Sequence, residues 1–187
     1  MHTVSQILAG DSSGREPACL ALVSNNLAAG LQMSGRLKEA RTFAEQAIKY
    51  FGRAFPADDP VYLAPLHILA TMDLEQGLTA GARQVFIRMQ NIGTTQPQDR
   101  MLVLSISASL LLGEGSRQEA ESQFNEALSA ISQARKQNSA DAVLIRVQLA
   151  YSCLQEQRYE DAKAILNRAL ASVKCAPEAV PLIELNF

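Results

Sequence analysis

The sequence contains no tryptophan, only two histidines and only three cysteines in 187 residues. Cys19, Cys153 and Cys175 are odd in number, far apart and without a Cys-x-x-Cys spacing, which argues against a disulfide framework and against a zinc site. Neither His2 nor His67 has a serine or cysteine nucleophile beside it in a recognisable motif, so no histidine-centred triad is predicted. We therefore expect a protein that is not an enzyme and needs no cofactor.

Strong charge and long apolar runs are also missing. The formal net charge is −2 at pH 7, which provides no basic footprint for nucleic acid or for an anionic membrane surface. No run of about 18 apolar residues is present to span a bilayer. The first ten residues lack a basic region followed by an apolar core, so they do not read as a signal peptide, and we expect a cytoplasmic protein. A signal already removed by cleavage would leave no trace.

The most informative stretch runs from Leu149 to Leu170. Its small and apolar residues recur at spacings of three and four, which predicts two short amphipathic helices around a tight turn at Glu156-Gln157-Arg158. An alanine at position 162 puts no bulk between the two helices, so their backbones can approach closely. This stretch therefore predicts a close-packed helical hairpin.

The same pattern recurs along the chain. Alanines equivalent to Ala162 occur at spacings of 42, 38 and 42 residues, and each follows a similar turn phrase, such as Gly35-Arg36-Leu37-Lys38-Glu39. These anchor alanines are Ala40, Ala82, Ala120 and Ala162. A second set lies at a constant distance before them and follows a leucine in three cases of four: Ala28, Ala70, Ala108 and Ala150. A period of this length is typical of a solenoid.

The two sets of positions resemble the tetratricopeptide repeat family. That family pairs leucine with glycine or alanine in a first helix and opens a second helix with Gly-x-Tyr-x-x-Ala. The long period and the link Pro56-Ala57-Asp58-Asp59-Pro60 are similar to the extended repeats of the kinesin light chains. The resemblance covers roughly residues 18–174, but the family tyrosine survives only as Tyr159. Asp73 stands where the family packs an apolar side chain, and we expect its carboxylate to be paired or partly exposed.

The predicted fold is all-α, a right-handed solenoid of about four antiparallel helix pairs. The predicted hairpins cover about residues 18–58, 59–95, 96–138 and 139–174. Residues 1–17 are expected to form a cap or a flexible segment, and residues 175–187 a cap or the start of a truncated repeat. In Asp58-Asp59-Pro60 a carboxylate can cap a helix start and proline fits the first helical position, so a helix is expected to begin near Pro60. Pro97 marks another helix start by the same logic.

The family resemblance also implies a binding surface. First helices would line a concave face, on which the family's ligand-lining offsets select Asn25, Asn26, Gln32, His67, Thr71, Ser105, Ser109, Leu144, Gln148, Tyr151 and Gln155. No lysine or arginine is among them, which argues against a clamp for an acidic tail. The amides of Asn25 and Asn26 could hydrogen-bond an extended peptide backbone. The alternative is that neighbouring repeats or the chain ends cover these positions.

Three functions are compatible with this reading. The leading one is a protein-interaction module or scaffold that binds a peptide or a partner helix on the concave face. The second is an assembly element that forms a homo-oligomer through the uncapped last helix and the apolar residues Leu182, Ile183, Leu185 and Phe187. The third is a regulatory domain of a larger protein that carries an enzyme or a DNA-binding domain. We expect a protein or peptide partner, with neither nucleic acid nor membrane involved.

Overall fold

The computed structural model describes residues 12–94, 96–133 and 140–175. Within these ranges the chain is helical and contains no strand, so the prediction of an all-α fold is confirmed for this part of the protein. The α-helices are α1 (Ser12–Met33), α2 (Leu37–Phe51), α3 (Leu63–Glu75), α4 (Thr79–Gln90), α5 (Pro97–Gly113), α6 (Arg117–Gln133), α7 (Ala140–Gln155) and α8 (Tyr159–Cys175). A 3-10 turn at Pro60–Tyr62 precedes α3.

The helices pack as neighbouring pairs within two compact units. Unit 1 ends at Thr94 and unit 2 begins at Thr95. In unit 1, α1 pairs with α2 and α3 pairs with α4, while α2 and α1 both contact α3. In unit 2, α5 pairs with α6 and α7 pairs with α8, while α6 and α5 both contact α7. Each unit is therefore two hairpins joined mainly through the second helix of one and the first helix of the next.

All four hairpin turns have one backbone geometry. The second residue after each first helix is left-handed, with φ of 71°, 72°, 85° and 59° at Gly35, Gly77, Gly115 and Gln157. The next N–H in each turn donates to a carbonyl five residues earlier: Arg36 to Leu31 at 2.9 Å, Leu78 to Asp73 at 2.7 Å, Ser116 to Leu111 at 3.0 Å and Arg158 to Cys153 at 2.9 Å. This is the Schellman arrangement, which favours glycine at the left-handed position.

Both repeating sets of alanines lie in the core. The anchor alanines of the second helices and the earlier set in the first helices are all fully or almost fully buried: Ala28, Ala40, Ala70, Ala82, Ala108, Ala120, Ala150 and Ala162. Because a methyl group keeps two helices close, larger side chains pack around these contacts. Phe124 in unit 2 and Met72 in unit 1 are examples, and both are fully buried. The repeat pattern in the sequence thus marks the close helix contacts.

A carboxylate caps the helical segment that begins at Pro60. The carboxylate of Asp59 accepts a hydrogen bond from the backbone N–H of Val61 at 3.0 Å, and Pro60 is the first residue of the 3-10 turn. Tyr62 is buried there, donates its hydroxyl to the carbonyl of Phe55 at 3.2 Å and meets Phe51 edge-on. Helix α5 likewise begins at Pro97, although the residue before it provides no side-chain cap.

The first helix begins earlier than predicted, and the predictions for three segments cannot be compared with the structure. Helix α1 begins at Ser12 and contains Pro17, so residues expected in a terminal cap or flexible segment form its first turns. The predictions for residues 1–11, 134–139 and 176–187 lie outside the described residues, including those for His2 and for the apolar residues after Cys175.

Candidate functional site

The predicted binding residues of unit 1 lie on two first helices that contact each other. Asn25, Asn26 and Gln32 are on α1, and His67 and Thr71 are on α3. Asn26 is exposed, whereas the other four are half-buried. The Oδ1 atom of Asn25 and the Oγ1 atom of Thr71 are buried and have no hydrogen-bond partner. Unit 1 therefore has two unsatisfied polar oxygens on adjacent first helices.

The hydroxyl of Thr71 differs from others in these helices. Thr42 donates to the carbonyl of Lys38 at 3.1 Å, and Ser109 donates to the carbonyl of Ser105 at 2.9 Å. Such back-bonding to the preceding turn is the usual way for a helical hydroxyl to be satisfied. Because Thr71 lacks this bond, its buried oxygen is left without a hydrogen-bond partner.

The predicted residues of unit 2 differ in accessibility. Ser105 and Ser109 are on α5, and Leu144, Gln148, Tyr151 and Gln155 are on α7. Ser105 is only 5% exposed and donates its hydroxyl to the carbonyl of Leu102 at 3.0 Å. Tyr151 is 54% exposed and Gln155 is exposed, while Ser109, Leu144 and Gln148 are half-buried. The carboxyl-terminal half of α7 is therefore the most accessible part of the predicted surface in unit 2.

A buried ion pair joins the two hairpins of unit 1. Asp73, near the end of α3, has a side chain only 8% exposed, and Arg41 of α2 donates to its carboxylate. Gly81 of α4 faces the same carboxylate, since a Cβ atom built there would lie 2.6 Å from its Oδ2 atom. The expectation that Asp73 is paired is therefore confirmed. Gly81 has no side chain that could compete with this carboxylate for space.

A more exposed charge cluster joins the two hairpins of unit 2. The carboxylate of Glu121 on α6 accepts two hydrogen bonds, at 2.8 and 2.9 Å, from Nη1 of Arg158. Arg158 also donates to Asp161 at 2.8 Å and to Glu156 at 3.2 Å. These three carboxylates, Glu121 first, raise the pKa of Arg158 and so stabilise its positive charge.

The side chain of Cys153 also contacts this charge cluster. The thiol is buried and donates to Oε1 of Glu121 at 3.8 Å. Burial first, and then the negative charge of Glu121, raise the pKa of Cys153. A thiol held in its protonated form is a poor nucleophile, so Cys153 behaves as a small buried apolar residue.

The structure also contains a cleft that the sequence analysis missed. It has a volume of about 320 Å³, and its lining comes from α6, α7 and α8 of unit 2. One lining residue, Arg146 of α7, occupies the repeat position of Ser24, Leu66 and Leu104. Arg146 is the single charged residue at this repeat position, and this difference from the other three hairpins is the feature of the sequence that could have indicated the cleft.

Neither a metal centre nor a membrane span is found in the parts of the chain that the structure describes. No group of three or more His, Cys, Asp or Glu residues is placed there to hold a metal ion. No helix among the same residues has the length and apolar character needed to cross a bilayer. The sequence matches no protein-family model and no curated protein. The fold and the site therefore define the class of protein only as an all-α chain of packed helical hairpins.

Proposed function

We propose that this chain is a binding module of the tetratricopeptide-repeat type. Its hairpins would stack as a right-handed solenoid, with the first helices lining a concave face that holds a peptide or a partner helix without catalysis. Two features support the proposal: the hairpin turn occurs four times with the same hydrogen bonds, and an alanine lies at each helix contact. A stack of nearly identical units is the architecture of such solenoids.

One observation carries the assignment of the face. The Oδ1 atom of Asn25 and the Oγ1 atom of Thr71 are buried without partners on two touching helices. A buried polar atom left unsatisfied costs about 1–3 kcal/mol. An extended peptide carries a row of backbone N–H groups, and two of these donors would relieve that cost. In unit 2, Tyr151 and Leu154 have exposed side chains that would contact apolar side chains of a ligand.

A peptide selection tests this proposal. Random twelve-residue peptides displayed on phage would be selected on the whole chain, and the best synthetic peptide would be measured by fluorescence anisotropy. We expect the double variant Asn25→Ala with Tyr151→Ala to bind at least about tenfold more weakly, because it loses an acceptor and an aromatic contact. The matched control is Gln46→Ala with Asn167→Ala, two exposed residues of second helices. Equal affinity in both double variants would refute the assigned face.

A second candidate function is self-association, which the burial pattern of the repeats favours. Leu20, Val23 and Leu27 form a stripe along α1 and are 40%, 58% and 45% exposed. The equivalent residues of the second hairpin in each unit are buried: Tyr62 in the 3-10 turn with Pro65 and Leu69 in α3, and Ala142, Ile145 and Leu149 in α7. These buried stripes belong to first helices that pack on a preceding second helix. The stripe of α1 therefore suits the second helix of another hairpin.

In a second copy of the chain, α8 is such a second helix. Tyr159 and Leu170 of α8 are exposed apolar residues, so α8 of one copy could pack on α1 of the next. Val23→Glu and Leu170→Glu would each block one of the two faces. Each variant alone should be monomeric in sedimentation velocity at all concentrations, whereas their mixture should form a dimer through the two intact faces. A native chain that is monomeric up to millimolar concentration would exclude this function.

A further inference from the structure

The cleft of unit 2 lies on the side of the second helices, away from the predicted peptide face. Its lining residues come from α6, α7 and α8 and from Arg158 in the turn between α7 and α8. Leu128, Leu149 and Ile165 supply its apolar surface. Its volume of about 320 Å³ lies at the lower end of the range found for ligand pockets, about 300–1,000 Å³. The cleft is therefore large enough for a small ligand or for one side chain of a larger one.

The charges in the cleft are separated along α8. At one end Arg158 is balanced by carboxylates, including those of Glu121 and Asp161, which also line the cleft. At the other end lie Arg146 and Arg168. Seven residues of helix separate Asp161 from Arg168, a distance of about 10 Å. The acidic cluster and Arg168 therefore lie about two turns of α8 apart.

Hydrogen bonds hold Arg146 beside the turn of α8 that carries Arg168. Nη1 of Arg146 donates to the hydroxyl oxygen of Ser172 at 3.0 Å, and that hydroxyl donates to the carbonyl of Arg168 at 3.0 Å. Ser172 is buried, so this link is sheltered from solvent. Burial first, and then the positive charge of Arg168, lower the pKa of Arg146. Two like charges thus converge on one half-enclosed space, which a bound anion would stabilise.

We infer that this end of the cleft binds a carboxylate carried on a short aliphatic chain. The guanidinium groups of Arg146 and Arg168 would hold the carboxylate through charge-assisted hydrogen bonds. The aliphatic chain would lie along Leu128, Leu149 and Ile165. Such a group occurs both in a free short-chain acid and at the carboxyl terminus of a peptide that ends in an aliphatic residue.

Matched small probes test the inference on the whole chain. N-acetyl-leucine represents a peptide end, hexanoate represents a free acid, and N-acetyl-leucinamide keeps the shape of the first probe without its charge. Each would be titrated into ¹⁵N-labelled protein and followed by two-dimensional NMR. We expect both acids to shift the backbone amides of Leu149, Ile165 and Arg168, with the amide at least tenfold weaker than N-acetyl-leucine. The tighter of the two acids identifies the source.

Variants complete the test. Arg168→Gln removes an exposed charge and should weaken both acids at least tenfold without changing the circular dichroism spectrum. Arg146→Gln should do the same, and if it fails to fold, the exposed Arg168 still provides the result. Arg53→Gln, an exposed arginine of unit 1, is the control and should bind like the native chain. Equal binding of acid and amide, or full affinity in Arg168→Gln, would overturn the inference.

Discussion

The two units use one repeat position to join their hairpins, but they place opposite charges there. Arg41 follows the anchor Ala40 in unit 1, and Glu121 follows the anchor Ala120 in unit 2. Arg41 contacts Asp73, and Glu121 contacts Cys153. Asp73 and Cys153 are equivalent positions in the next hairpin, since each provides the carbonyl that closes its hairpin turn. The backbone therefore determines where the contact lies, while the chemistry of the contact has changed.

The two solutions differ in how much they depend on a single partner. In unit 1 the carboxylate of Asp73 is buried and pairs with Arg41. In unit 2 the partner of Glu121 comes from the turn itself, where Arg158 is 41% exposed and also contacts Glu156 and Asp161. An exposed network loses little when one member is removed, whereas a buried pair leaves an uncompensated charge. We therefore expect unit 1 to be the more sensitive of the two.

The largest effect should come from Arg41→Ala. The change leaves the buried carboxylate of Asp73 without its partner, and breaking such a pair costs about 3–5 kcal/mol in the free energy of unfolding. Because Arg41 itself is about one-third exposed (34%), we expect the lower end of that range, measured by urea denaturation. Arg53→Ala should have little effect. The double variant Arg41→Leu with Asp73→Leu should recover most of the loss, and failure to recover would contradict the role assigned to the charge.

Gly81→Ala should have the next largest effect. A Cβ atom at this position would lie 2.6 Å from Oδ2 of Asp73, so the carboxylate would have to leave its position beside Arg41. We expect a loss of about 1–3 kcal/mol, although alanine is the better helix former by about 1 kcal/mol. Gly30→Ala in α1 is the control, since nothing lies within 4 Å of its added Cβ, and it should be neutral or stabilising. A stabilising Gly81→Ala would show that Asp73 is not held in place.

Gln157→Gly should stabilise unit 2 by about 1 kcal/mol. Gln157 has φ of 59°, and glycine occupies the equivalent left-handed position in the other three hairpin turns. A side chain in this conformation costs about 1–2 kcal/mol, part of which the greater freedom of unfolded glycine offsets. The melting temperature should rise by about 2–4 °C for a chain of this size. Gly115→Gln is the reverse change and should lower it, so an increase in that variant would refute the explanation.

Glu121→Gln should have the smallest effect on stability, since Arg158 keeps two other carboxylates. Its clearer consequence concerns Cys153, whose pKa is raised by burial and by the charge of Glu121. Removing that charge lowers the pKa, so more thiolate is present at pH 8 and alkylation by iodoacetamide becomes faster. The rate would be followed by peptide mass spectrometry, with the exposed thiol of Cys19 as internal reference. An unchanged rate at Cys153 would contradict the contact with Glu121.

The sequence was sufficient to predict the hairpins, because their contacts are local. The four anchor alanines mark the helix contacts. The turn phrases mark the left-handed residues that follow the first helices. The repeat period also predicts the same burial for all residues at equivalent positions, and this part of the prediction fails. Leu27 and Leu149 occupy equivalent positions, yet Leu27 is exposed while Leu149 is packed against α6. Burial depends on whether another hairpin precedes, and a repeat pattern does not contain that information.

The charge network and the cleft could not be predicted from the sequence for a related reason. Arg158 and Glu121 are 37 residues apart, a separation that is not the repeat period, so aligning the hairpins does not pair them. Ser105 shows the opposite case, since a family offset selected it and it is buried and bonded to its own helix. The family resemblance predicts which helices carry the candidate binding residues. The accessibility of each side chain depends on packing between helices, which only the structure shows.

The hairpin turns also determine how a protease meets this chain. Arg36 and Arg158 are exposed trypsin sites, yet the N–H of each is hydrogen-bonded to the carbonyl of the residue that lies five positions before it. A protease needs several residues of extended chain, which these turns cannot supply until both flanking helices open. When opening and closing are fast relative to cleavage, the cutting rate reports the population of the open state. Digestion at Arg36 and at Arg158 would therefore report the opening of the first and the last hairpin separately in one sample.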